Sequence, residues 1–323
     1  MTSLAMMSTH TPTNDVVEEI QQLKRERNAV LLAHNYQYGE IQDIADVVGD
    51  SLGLSQAAAR TDADVILFCG VHFMAETAAI LCPAKTVLIP DLKAGCSLAD
   101  SITVAQLREW KAKHPGAVVV SYVNTSAEVK AESDYCCTSG NAERVIRAIP
   151  EDREILFLPD IFLGSYLRQV TGRPLHIWAG ECHVHAAIRP HMVNHMRTAN
   201  PEAEFLIHPE CGCVSSTMHY LEQGLIEREH THILSTEGMI RHAEHSQASQ
   251  FIVATEIGVL HRMQKANPSK TFLPIDESIA CRYMKMITLD KVLYSLREMV
   301  HPVTVPPQIA ERARGAIDRM IAL

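Results

Sequence analysis

Short apolar runs separated by amphipathic stretches recur along the whole chain. Strand-sized runs fall at Val30–Ala33, Val65–Phe68, Thr86–Ile89, Ala117–Ser121, Glu154–Leu158, Ala203–Ile207, Thr231–Leu234 and Gln250–Ala254. The first amphipathic stretch predicts a helix over Asn14–Asn28, with a polar start and Glu18 in its first turn. Strands that alternate with helices predict parallel sheets covered by helices on both faces. Pro and Gly mark the joints, as at Pro115-Gly116 and Gly172-Arg173-Pro174, and there is no low-complexity linker.

The pattern also repeats on a larger scale. Three strands end in polar residues: Leu32-Ala33-His34-Asn35, Val120-Ser121-Tyr122-Val123-Asn124 and Ile207-His208-Pro209-Glu210. His34 and Tyr122 are 88 residues apart, and Tyr122 and His208 are 86 apart. A hydroxyl follows 17 residues after the first two (Ser51, Ser139) and 28 after the third (Thr236), an excess of 11. A cysteine closes each unit at offsets of 62 (Cys96), 60 (Cys182) and 73 (Cys281), so one 11-residue insertion reconciles all three columns. The reading is three αβα units: residues 1–97 with a frayed tail over 1–13, residues 98–183, and residues 184–282. The C-terminal helices, 283–323, are expected to pack back on the first unit.

Composition narrows the field. A chain of 323 residues, 47% hydrophobic, can bury substantial cores. A formal charge of -9 gives no reason to expect nucleic acid or an anionic membrane as partner. The longest apolar runs, such as Val65 to Val71, are far too short to cross a bilayer. Met1 to Thr13 has no basic region or apolar core, so no export signal is expected and the cytoplasm is the expected compartment. In that setting the nine cysteines point to metal or catalytic use rather than a disulfide framework.

In α/β sheets, ligands bind beyond the carboxyl ends of the strands. Three units arranged about a pseudo-threefold axis would bring Cys96, Cys182 and Cys281 to one point, although they lie 86 and 99 residues apart. Three thiolates could bind zinc, or a [4Fe–4S] cluster with one iron free of protein ligands. Ile279-Ala280-Cys281, Met284 and Met286 would supply apolar surroundings. Cys136 and Cys137, adjacent on a strand, would point to opposite faces and could not easily share one metal.

Several segments match a family pattern in order: Ala33-His34-Asn35-Tyr36-Gln37, Asp50-Ser51-Leu52, Val71-His72-Phe73-Met74-Ala75-Glu76-Thr77, Gly95-Cys96-Ser97-Leu98, Tyr122-Val123-Asn124-Thr125-Ser126, Gly180-Glu181-Cys182-His183-Val184-His185, His208-Pro209-Glu210-Cys211 and Ser235-Thr236. They resemble the signatures of the quinolinate synthases over nearly the whole chain. The resemblance implies a condensation of iminoaspartate (iminosuccinate) with dihydroxyacetone phosphate to quinolinate, in de novo NAD synthesis. It also implies three units around one [4Fe–4S] cluster and functional coupling to an L-aspartate oxidase. The chain departs from some members at the last cysteine. Cys281 stands alone before Arg282-Tyr283-Met284, without a Cys-x-x-Cys-x-x-Cys run, so a redox switch built on that run is not expected.

Such chemistry moves protons at several steps, so acid–base groups should surround the metal. Glu210 is the expected base; in another context it would read as an N-cap or salt-bridge carboxylate. His34 and His208 are expected to bind carboxylates or shuttle protons, whereas most other histidines read as hydrogen-bonded structure. His185 stands between: it could line the site or only orient its loop. Tyr36 and Tyr122 can donate to a developing enolate, and Asn124 can hold a carboxylate. Ser51, Ser139 and Thr236 are expected at helix starts, as anion sites or plain caps. Two competing readings are a zinc-dependent hydrolase or lyase using Cys182-His183-Val184-His185 with His208-Pro209-Glu210-Cys211, and a non-catalytic small-molecule binder. Against the first, the chain has no His-Glu-x-x-His helix or paired-cysteine knuckle. The second would not require three equivalent cysteines.

Overall fold

The computed structural model describes residues 14–224 and 230–323. The expected tail, 1–13, lies outside the described residues. Among the described residues, twelve strands form three four-stranded sheets. The first holds β1 (Ala29–His34), β2 (Val47–Gly49), β3 (Val65–Cys69) and β4 (Thr86–Leu88). The second holds β5 (Val118–Tyr122), β6 (Tyr135–Cys137), β7 (Ile155–Leu158) and β8 (His176–Ile177). The third holds β9 (Glu204–Ile207), β10 (Thr231–Ile233), β11 (Gln250–Ala254) and β12 (Thr271–Pro274).

The spatial order in each sheet is second, first, third, fourth, and every pairing between these strands is parallel. The two central strands of each sheet are apolar almost throughout, as in Val65-Ile66-Leu67-Phe68-Cys69 and Ile155-Leu156-Phe157-Leu158, all buried. Burial on both faces selects continuous apolar runs instead of alternation. Polar side chains start several of the covering helices: Asp50, Thr103, Ser126, Asp160, Ser235 and Thr288 each accept an amide of the first turn. The eight runs predicted from the sequence are all strands. The four others, β2, β6, β8 and β12, lie at sheet edges and have only two to four residues each.

Two helices close the chain. Leu289–Glu298 packs against the first helix, Asn14–Glu26. Pro307–Ala322 packs against elements flanking both the first and the second sheet. Arg314 donates to the carbonyls of Ile80 (3.1 Å) and Leu81 (2.8 Å) in the first unit. Arg312 meets Glu132 at 2.7 Å, and the Met320 carbonyl accepts from Asn141 at 2.8 Å, both in the second. Among the described residues, no helix is long and apolar enough to cross a membrane.

Candidate active site

The three expected columns fall at equivalent places. His34 ends β1, Tyr122 ends β5, and His208 directly follows β9. Across the sheet, His34 pairs with Gly49 and Tyr122 with Cys137, and the hydroxyls Ser51 and Ser139 lie two residues further on. In the third sheet Ile207 pairs with Ile233, which puts Thr236 in the same register beyond Leu234. The 11-residue excess lies between β9 and β10, in the segment that carries the helix Val214–Glu222.

These turns meet. A methyl group built on Gly140 would lie 3.4 Å from Ser235 Oγ and 3.7 Å from Asp50 Oδ2, the residues just before Thr236 and Ser51. Ser51 and Thr236 are first residues of their helices, capped by Asp50 and Ser235. Ser139 is not at a helix start, contrary to expectation. It lies in a turn closed by the Thr138 amide donating to Asn141 Oδ1 at 2.8 Å, and the helix begins at Ala142.

A cavity lies beyond the strand ends, and all twelve expected site residues line it. Cys96, Cys182 and Cys281 sit on the loops after the fourth strand of each sheet. Each thiol-bearing residue also starts a helical turn: its carbonyl accepts the amide four residues on, from Asp100 (3.0 Å), Ala186 (2.8 Å) and Lys285 (3.0 Å). Amides of Leu98 and Ala99 donate to the Cys96 sulfur, and those of Tyr283 and Met284 to the Cys281 sulfur. Burial pushes both thiols up, and the neighbouring Cys182 sulfur adds to the shift. The three sulfurs are close enough to interact, and two of them have oriented amide donors. This donor set fits an iron–sulfur centre.

Beside the sulfurs lies a buried polar network. The Tyr122 phenol donates to Glu210 Oε1, and His185 Nδ1 lies 3.3 Å from Glu210 Oε2. The other His185 nitrogen is 2.9 Å from Thr255 Oγ1 and 3.3 Å from the Tyr36 phenol, which itself lies 2.6 Å from Thr255. Burial alone would raise the Glu210 carboxyl, but His185, His208 and Tyr122 outweigh it and bring it to about 2. Burial likewise opposes charge on His185, yet Cys182 and Glu210 raise it well above the usual imidazole value. Glu210 and His185, 3.3 Å apart and both buried, are placed to pair when the imidazole is protonated. Burial lowers His34 and His208 to about 3, leaving both neutral. Asn124 faces the cavity, and its amide oxygen finds no hydrogen-bond partner among the described residues.

Two carboxylates escaped the sequence reading. Glu256 and Asp160, both fully buried, each stand two residues after the end of the third strand of their sheet (β11 and β7). Glu256 accepts the Cys281 amide at 2.9 Å and meets Lys285 at 3.1 Å, so it ties the third cysteine loop to the cavity wall. Asp160 accepts the Leu163 amide at 2.7 Å, and burial, then Glu210, push its carboxyl well up. Thr255 precedes Glu256 and was missed with it. Looking beyond the third strand of each sheet, as was done for the first, would have picked out all three.

The remaining cysteines are not among the residues lining the cavity. Cys136 and Cys137 lie on β6, and Cys69 and Cys82 are buried in the first unit. Cys211 and Cys213 form a disulfide, although no disulfide was expected. The bond spans a tight turn and cross-links no distant segments. Cys182, His185 and Glu210 offer ligand atoms within 4.8 Å of one another, the set a zinc enzyme would use. That reading leaves Cys96 and Cys281 without a purpose.

Comparison with known proteins decides the lineage. The family model for quinolinate synthetase A protein matches residues 18–322. A quinolinate synthase of Thermus thermophilus is 56% identical over 308 residues, covering 95% of this chain and 97% of that protein. One from Mycobacterium sp. (strain KMS) is 55% identical over 313 residues, covering 97% and 93% respectively. One from Pyrobaculum aerophilum is 54% identical over 304 residues, covering 94% and 98%. With three matched units, one shared cavity and this likeness along nearly its whole length, the chain belongs to the quinolinate synthetase A family.

Proposed function

We propose that the chain condenses iminoaspartate (iminosuccinate) with dihydroxyacetone phosphate to give quinolinate, phosphate and water, in de novo NAD synthesis. The observation that carries this reading is the convergence of Cys96, Cys182 and Cys281, one from each unit, on the cavity that holds the Glu210 network. The three thiolates would hold one [4Fe–4S] cluster per chain, with one iron free of protein ligands. Such an iron supplies a Lewis acid that polarises a bound oxygen and eases its departure.

The protein's own groups divide the remaining work. The hydroxyls of Ser51, Ser139 and Thr236, with the helix starts at 51 and 236, bind phosphate or carboxylate. His34 and His208, neutral, donate hydrogen bonds to substrate oxygens, and Asn124 orients a substrate through its unpartnered amide oxygen. Tyr122 and Tyr36 deliver protons to developing enolate oxygen. Glu210 is the base. Its pairing with His185 keeps it weakly basic until a substrate carboxylate competes for His185 and raises its affinity for protons. Burial suits this chemistry, because every charge in the cavity acts with little screening.

The unit boundaries at 97/98 and 183/184, a cytoplasmic location, and supply of the labile imine by an L-aspartate oxidase belong to the same proposal. The test is anaerobic purification followed by assays for iron, sulfide and quinolinate. Four irons and four sulfides per chain, with quinolinate formed from the two substrates, are expected. Cys96→Ser, Cys182→Ser and Cys281→Ser should each lose both cluster and product. A variant with the other six cysteines replaced should keep its iron. Zinc in place of iron, or a cysteine variant that retains an active cluster, would overturn this assignment.

A further inference from the structure

We propose that His114, Glu154 and His176 form a site for a single divalent cation of the zinc type, on the outer edge of the second unit. His114 caps the helix Val104–Lys113, Glu154 immediately precedes β7, and His176 begins β8. All three therefore lie at the amino-terminal ends of the parallel strands, whereas the cavity opens beyond the carboxyl-terminal ends. The site is separate from the one described above.

The geometry suits a metal. Glu154 Oε1 is 2.7 Å from His114 Nδ1 and 2.6 Å from His176 Nε2, and the two imidazole rings are 4.3 Å apart. Tetrahedral zinc with bonds near 2.0–2.2 Å separates its ligand atoms by about 3.3 Å. Each Glu154–imidazole separation would need to open by well under one ångström on binding, and the 42–46% exposure of Glu154 and His176 leaves room for it. Two imidazoles with one carboxylate favour zinc and its first-row neighbours over magnesium or calcium, which prefer oxygen ligands. Two neighbouring cations are engaged elsewhere: Arg153 donates to the Gly116 carbonyl at 2.6 Å, and Lys111 pairs with Glu132 at 3.1 Å. A bound ion would pin the two-residue edge strand β8 to the end of a helix and the start of β7, leaving a fourth position for water.

The fold supplies its own reporter. The chain has two tryptophans, Trp110 and Trp178, with rings 5.5 Å apart; Trp110 lies 6.4 Å from the His114 ring. The cluster-loaded enzyme would be titrated anaerobically with Co²⁺, a paramagnetic quencher, while tryptophan emission is followed. Expected is saturable quenching at one Co²⁺ per chain, reversed by Zn²⁺. Glu154→Gln and His176→Ala should weaken the apparent affinity about tenfold or more. Circular dichroism checks that each variant is folded, and Glu154→Gln keeps the size of an exposed side chain should His176→Ala fold poorly. No saturable quenching, or quenching undiminished in Glu154→Gln, would leave these residues as a hydrogen-bonded surface trio and overturn the site.

Discussion

His34 and His208 make the same backbone contact. Each Nδ1 accepts the amide proton of the residue two positions on, from Tyr36 at 3.1 Å and from Glu210 at 3.4 Å. The shared contact fixes both rings as the Nε2–H tautomer, so each presents a donor away from its own backbone. His208 Nε2 is 3.2 Å from Ser139 Oγ.

Both imidazoles should therefore stay neutral across the working range. Burial brings them to about 3 from an ordinary value of 6.5. A lowered imidazole contributes stability above its unfolded value, and that stability is lost as pH falls from 6.5 toward 3, because the unfolded chain takes up the protons first. Imidazole nitrogen NMR signals assigned to these residues should not titrate between pH 5 and 8, and the melting temperature should fall on acidification below about pH 6.5. Mid-range titration of either ring would contradict its buried, hydrogen-bonded placement.

Glu210→Gln keeps the size and reach of the side chain but removes the negative charge that pairs with His185. The variant should fold and retain iron, while turnover falls by about 10²–10⁴-fold. Comparing kcat with the iron content of the same preparation separates the two effects. Near-normal turnover would reduce Glu210 to a structural partner of Tyr122.

Gly258→Ala tests a close backbone approach. A methyl group there would lie 2.7 Å from the backbone carbonyl of Tyr36 and 2.8 Å from Glu256 Oε2. Backbone atoms cannot swing aside as side chains do, so the variant should lose about 1–3 kcal/mol of stability. Because Tyr36 carries a cavity phenol, turnover should fall as well. Unchanged melting and turnover together would show that the two segments separate without cost.

The central strands were legible because burial on both faces writes unbroken apolar runs such as Val65–Cys69. The edge strands were not. Tyr135–Cys137 and His176–Ile177 are too short for any period to register, and only pairing with a formed neighbour makes them strands. At the site, His34, Tyr122 and His208 could be read because the repeat placed them in register. Glu256 and Asp160 form a weaker column, legible only beyond the third strands, because their counterpart in the first sheet is Val71, which carries no polar signal to align. His185 shows a different limit. Its contacts with Thr255 and Tyr36 join residues 70 and 149 positions away, which no local motif encodes.

The distribution of the three sulfurs along the chain also governs the order of biogenesis. Cys96 and Cys182 can leave the ribosome and fold with their own units long before Cys281 has been translated. Until the third loop arrives, a nascent chain offers two thiols to any delivered iron, an incomplete and readily oxidised set. If the three thiols hold the proposed cluster, its insertion would be a late step, set by completion of the third sheet, and an assembly factor that acted on the emerging chain would have nothing finished to fill.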